Sequence, residues 1–97
     1  MKHLDVYRSS AAEDDLVKIW KYIAKSSPMA ADQLLRKIDD RIEGLRLHPD
    51  SGERIESSRV GVRRIVEGNY LVFYQRLDDC IRVVRILHAS RRWEELL

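Results

Sequence analysis

Eight arginines crowd into residues 57–92 (Arg59, Arg63, Arg64, Arg76, Arg82, Arg85, Arg91 and Arg92), against only Glu67, Asp78 and Asp79. That is a local +5 in a chain whose net charge is +2, and the last lysine, Lys37, lies well upstream. A guanidinium presents a planar fork that grips a carboxylate or a phosphate through two hydrogen bonds, which an ammonium cannot do. The cluster fits an acidic partner, a nucleic-acid surface or both; a solvated sheet face is the plain alternative. His88 is the one nearby side chain able to exchange protons near neutral pH. A lone imidazole with no visible acid–base partner reads equally as a hydrogen-bonded structural group.

Other chemistries are excluded by what the chain lacks. The single Cys80 rules out an intramolecular disulfide and any multi-cysteine zinc site. Asp78 and Asp79 beside it would raise a thiol pKa, so an inert thiol at a strand start is expected. His3 and His48 sit in a terminus and a turn with no metal-ligand spacing, so neither metal nor cofactor is expected. There is no Gly-rich phosphate loop and no nucleophile elbow. No apolar run nears the ~20 residues of a membrane span, and residues 1–5 carry no signal-peptide pattern, so the expected location is cytoplasmic. Residues 1–97 make one domain with a thin core, to which burial against a partner would add stability.

These groups must be positioned by a strand, two helices and a run of further strands. Residues 4–8 alternate apolar and polar side chains as a strand does. Ser10 and Glu13 have capping-box spacing, and Leu16, Ile19, Trp20 and Ile23 then recur on one face, predicting a helix over 10–26 with Trp20 in its core stripe. Asp14, Asp15, Lys18, Lys21 and Lys25 fall mainly on the other faces. Ser27-Pro28 starts a second helix, with Leu34, Leu35, Ile38, Ile42 and Leu45 as its stripe and His48-Pro49 as its stop. With only Ser26-Ser27 between them, the two helices should form an antiparallel hairpin.

A short edge strand is expected around Ile55. Strands over 62–66, 70–74 and 81–88 follow, with Gly68-Asn69 and Asp78-Asp79 as turns, so they form an antiparallel meander. Tyr70, Val72 and Tyr74 share the side that meets the helices. Residues 89–97 offer a short amphipathic helix through Trp93, Leu96 and Leu97. The whole is α+β: a two-layer sandwich of N-terminal strand, α-helical hairpin and three- to four-stranded meander.

Several stretches resemble the ParE/RelE superfamily of bacterial toxins in order and spacing. They are Val6-Tyr7-Arg8-Ser9, Ala11-Ala12-Glu13-Asp14-Asp15-Leu16, Ile19-Trp20-Lys21-Tyr22-Ile23-Ala24, and Ile42-Glu43-Gly44-Leu45 with His48-Pro49 and Gly52. Gly61-Val62-Arg63-Arg64, Tyr70-Leu71-Val72-Phe73-Tyr74 and Val83-Val84-Arg85-Ile86-Leu87-His88 with Arg91 complete the pattern over residues 5–92. The resemblance implies that the N-terminal strand lies beside the last one. It further implies a hetero-oligomer with a cognate, ParD-like antitoxin, expected to contact Trp20, Arg59, Arg63 and Arg82.

Two activities divide that superfamily. ParE-like members poison DNA gyrase without a catalytic step, which would place target contacts at Arg63, Arg85, His88, Arg91, Arg92 and Trp93. RelE-like members cut mRNA on the ribosome, which needs a base at the 2′-OH, a cation at the phosphate and an acid for the leaving oxygen. The candidates for that chemistry are His88, Arg85, Arg63, Arg64 and Arg91. Against it, no tyrosine follows Tyr74, and the sheet lacks the lysines common in RelE-like enzymes. A toxin-derived module that only binds its antitoxin is the third expectation.

Overall fold

A computed structural model describes residues 4–97; His3 and the start of the N-terminal segment lie outside the described residues. The elements are β1 (Asp5–Arg8), α1 (Ser10–Ala24), α2 (Pro28–Gly44), β2 (Glu53–Arg54), β3 (Val62–Glu67), β4 (Tyr70–Arg76), β5 (Cys80–His88) and α3 (Trp93–Leu96). The five strands form one sheet in the order β1-β5-β4-β3-β2. All neighbours run antiparallel except β1, which pairs parallel to β5 from Asp5↔Cys80 to Arg8↔Val83. Both the α+β layering and the pairing of first strand with last agree with the expectation. The short edge strand expected around Ile55 is Glu53–Arg54, ending just before Ile55, which donates its N–H to the Val62 carbonyl.

The helices start where their caps dictate. The cap of α1 is Ser9 rather than Ser10: its hydroxyl oxygen accepts the Ala12 N–H at 3.0 Å. Ser27 caps α2 in the same way, and Pro28 occupies a first-turn position where a missing N–H costs nothing. Leu16 and Ile19 of α1 and Ile38, Ile42 and Leu45 bury against Ile65, Val72, Tyr74, Ile81, Val83 and Ile86 of the sheet. Two residues of the first helix depart from expectation. Trp20 is 36% exposed, its indole N–H donating to Asp32 Oδ1 at 2.8 Å, because it sits at the seam of the two helices rather than beneath them. Asp15, expected on a solvent face, is 7% exposed.

The opposite sheet face carries a second, smaller core of Val62, Leu71, Phe73 and Leu87. Ile55 and the C-terminal residues Trp93, Leu96 and Leu97 pack against it, and the Trp93 ring lies 5.3 Å from that of Phe73. Gly68, at φ 58 in the first loop position between β3 and β4, gives the II′ type of tight turn.

Tyr74 is fully buried, and its hydroxyl donates to the Pro49 carbonyl and accepts the Gly52 N–H, both at 2.9 Å. Burial pushes its phenol above the ordinary pKa, outweighing the Gly52 hydrogen bond and the nearby Arg63 charge. Tyr70 is raised too, by burial first and then by Tyr22. Folding therefore holds these protons more tightly than the unfolded chain does. Stability is fully present below the unfolded phenol pKa of about 10 and is lost as pH rises beyond it. Urea denaturation at rising alkaline pH should show that decline, and Tyr74→Phe should flatten it.

Candidate functional site

β1 has only four residues, so it pairs with β5 as far as Val83 and leaves residues 84–88 without a strand neighbour on that side, although Val84, Ile86 and Leu87 are buried. Unpaired strand edges expose backbone donors and acceptors that must be satisfied or shielded. Two side chains from the β1–α1 junction take over where β1 stops. The Ser9 hydroxyl donates to the Val84 carbonyl at 2.8 Å while serving as the α1 cap. Asp15 Oδ2 accepts the Ile86 N–H at 3.0 Å. Val84 is the extra residue of a bulge at this point, since Phe73 faces Arg85 while Tyr74 faces Val83.

Asp15 also holds Arg85 with both oxygens, Nε to Oδ2 at 2.7 Å and a terminal nitrogen to Oδ1 at 2.8 Å. The other terminal nitrogen of Arg85 donates to the Leu96 carbonyl at 3.3 Å. Its guanidinium is thus held above its ordinary pKa by the Asp15 hydrogen bonds, against the opposing effect of burial. Arg85, a candidate for catalysis or target binding, thus joins α1, β5 and the C-terminal segment.

His88 ends β5. Its Nδ1 accepts the Ser90 backbone N–H at 3.1 Å and lies 2.8 Å from the Ser90 hydroxyl. An amide nitrogen can only donate, so in the neutral ring the proton resides on Nε2. The ring stands edge-on to Tyr70, with centroids 5.1 Å apart at 85°. His88 is therefore presented as a hydrogen-bond donor, with its lone pair already occupied.

Between α1 and this unpaired edge lies a pocket of about 430 Å³. Asp15, Lys18, Ile19 and Tyr22 line it from the helix, and Tyr70, Ile86, Leu87, His88, Ser90 and Arg91 from the sheet and the following loop. Lys18, Tyr22 and Ser90 were not singled out from the sequence. Their signal was faint: Asp15, Lys18 and Tyr22 are spaced three and four apart beside Ile19, a second stripe flanking the apolar one.

The remaining arginines do not form one surface. Arg63 donates to the Asp50 and Gly52 carbonyls, and Arg76 approaches Asp50 Oδ1 at 3.9 Å. Arg64 pairs with Glu53 at 2.9 Å and lies over the Trp93 ring at 5.6 Å. Arg92 is paired with Glu95 one turn on at 3.6 Å. Among the described residues, Arg59, Arg82 and Arg91 have no acidic partner within ion-pair distance. Of the named candidates the structure brings His88 and Arg91 together in the pocket, with Arg85 behind Asp15. Arg63 sits at the other side of the sheet, while Arg64 and Trp93 lie on the face away from the helices. Trp20 is on the α1–α2 seam, bonded to Asp32, and is not among the residues that line the pocket. No cluster of metal-ligating side chains occurs among the described residues, and no described helix is long and apolar enough to cross a membrane.

Residues 6–93 match the family described as ParE toxin of type II toxin-antitoxin system, parDE. The chain is 36% identical to Toxin ParE1 of Caulobacter vibrioides over 84 residues, which is 84% of this chain and 85% of that one. It is 30% identical to Toxin RelE2 of the same organism over 77 residues, 79% of this chain and 85% of that one. Among solved structures, the fold is similar to one from the chromosomal ParDE TA system of P. aeruginosa, with a TM-score of 0.73 at 19% identity, covering 89% of this chain and 96% of that one. It is also similar to one from the toxin-antitoxin complex RelBE2 of Mycobacterium tuberculosis, with a TM-score of 0.64 at 18% identity, covering 89% and 98%.

Proposed function

The chain belongs to the ParE toxin family of type II toxin–antitoxin systems, and on that premise we propose that it inhibits DNA gyrase and is neutralised by a ParD-like antitoxin. The observation that carries the gyrase half of this reading is the state of the strand-end pair. His88 has its Nδ1 lone pair taken by Ser90, and Arg85 is held by both oxygens of Asp15. A ribonuclease would need a free lone pair to accept the 2′-OH proton and a free cation at the phosphate. His88 offers no such lone pair and Arg85 is not such a cation, although Lys18 and Arg91 line the same pocket without an acidic partner among the described residues; a binding inhibitor needs only a donor surface.

The RelE-like reading, a ribosome-dependent mRNA endoribonuclease, has one argument of its own, the likeness to Toxin RelE2. Induced expression separates the two. The proposal expects growth arrest, intact mRNA, and relief on co-expression of the protein encoded by the adjoining reading frame. Cleaved mRNA that becomes intact in His88→Ala would replace it with the nuclease. Unimpeded growth, with the adjoining product still bound, would leave an antitoxin-binding module.

A further inference from the structure

We propose that the pocket between α1 and the end of β5 is a binding site for a small aromatic dianion, a phosphate monoester that carries one planar ring. The charge of the pocket carries the argument. Lys18 and Arg91 both line it, and among the described residues neither has an acidic partner within ion-pair distance. The one carboxylate of the lining, Asp15, is engaged elsewhere: Arg85 holds both of its oxygens, and Oδ2 accepts the Ile86 N–H as well. Two uncompensated positive charges thus line a space of about 430 Å³.

A third donor stands beside them. The Nδ1 of His88 is occupied by the Ser90 N–H, so in the neutral ring the proton lies on Nε2 and the imidazole can only donate. An ammonium, a guanidinium and an imidazole N–H together call for acceptors and negative charge. A phosphate monoester is their complement, with a charge of about −1.5 to −2 near neutral pH and three strong acceptor oxygens. A carboxylate, with its single charge, would leave one of the two cations without a counter-charge.

The ring follows from the other walls. Ile19, Ile86 and Leu87 are buried, so the aliphatic floor offers little free surface, whereas Tyr22 is 71% exposed. The half-buried Tyr70 meets His88 edge-on, and Tyr22 stands close enough to raise the Tyr70 phenol pKa further, after the larger effect of burial. Two phenol rings therefore bound one space, and a planar ring packs on such walls in offset or edge-on contact. The size of the space is that of a small-molecule site. Its charge does not run on along β5: Arg82, the next arginine back without an acidic partner, lies roughly 20 Å from His88 at the rise of a strand. That spacing favours a compact ligand over a nucleic-acid strand, which is tracked by a continuous positive groove.

This site goes beyond the proposed function, and its test involves neither gyrase nor an antitoxin. The isotope-labelled full chain would be titrated with phenyl phosphate at mildly alkaline pH, where the ester is a dianion, and followed by amide resonances. Saturable shifts at Tyr22, His88, Ser90 and Arg91 are expected, with phenol and inorganic phosphate each binding roughly tenfold more weakly. Lys18→Ala and Arg91→Ala should each weaken phenyl phosphate roughly tenfold and flatten its salt dependence. Tyr22→Ala should weaken phenyl phosphate but not inorganic phosphate. Unchanged resonances away from the pocket would show that the variants are folded. Absence of saturable shifts at millimolar phenyl phosphate would overturn the proposal, as would undiminished binding in both charge variants. Equal affinity for inorganic phosphate would overturn it too, by showing an adventitious ion only. An oligouridylate that displaces phenyl phosphate and binds far more tightly would replace the small ligand with a nucleic acid.

Discussion

Asp15→Ala is expected to cost about 3–5 kcal/mol of folding stability, the range found when one partner of a buried ion pair is removed. The loss has two parts. Arg85, only 21% exposed, would keep its charge without a counter-ion, and the Ile86 N–H would lose its only acceptor at the strand edge. Arg85→Ala removes the same pair from the other side but leaves Asp15 able to accept from Ile86, so it should cost less. Because the two share one interaction, the double variant should be more stable than the sum of the singles implies, by roughly 2 kcal/mol. Chemical denaturation of the four proteins measures that coupling. Simple additivity would show that the fork between Asp15 and Arg85 is not what holds α1 to β5. A second consequence touches function: loss of toxicity in Arg85→Ala should track loss of folded protein, not loss of a chemical step.

Gly52→Ala should be nearly as costly, at about 2–4 kcal/mol by overpacking and displaced hydrogen bonds. A β-carbon there would stand 2.5 Å from the Tyr74 hydroxyl oxygen, 2.7 Å from its ring edge and 3.0 Å from the Arg64 carbonyl. The phenol cannot swing aside, since it is fully buried and bonded to both Pro49 and Gly52. Tyr74→Phe in the same chain should not rescue the variant, because the ring edge remains. A midpoint in urea equal to that of the unmodified protein would contradict this packing.

The elements of the fold were legible because each has a local cause. Ser27-Pro28 begins α2, Gly68-Asn69 turns β3 into β4, and apolar spacing gives the helix stripes. Ser9 taking the cap from Ser10 is a one-residue slip that the tandem serines allowed, and what decided it was a distant carbonyl, that of Val84. The site was far less legible. His88 and Arg91 were found by residue type and do share the pocket, but Lys18 and Tyr22 reach it only because α1 crosses the unpaired end of β5. Arg85 read as a free functional cation because Asp15, its partner, is 70 residues away in the chain. The same holds for the arginine cluster. Its local +5 is real in sequence, yet Asp15, Asp50, Glu53 and Glu95 divide most of it into separate pairs, and all four lie outside residues 57–92.

A β1 of four residues leaves Ile86 to His88 without a strand neighbour on that side, and the bulge at Val84 turns Ile86 toward Asp15. That arrangement fixes Arg85 and leaves His88 as a donor, which is the ground on which gyrase inhibition is proposed. The most direct test is a supercoiling and cleavage-complex assay with purified gyrase and the purified chain at micromolar concentration, with mapping of mRNA ends in expressing cells alongside. Lost supercoiling with accumulated cleavage complex and uncut mRNA is the expected result; active gyrase together with mRNA cut in a His88-dependent manner would contradict it.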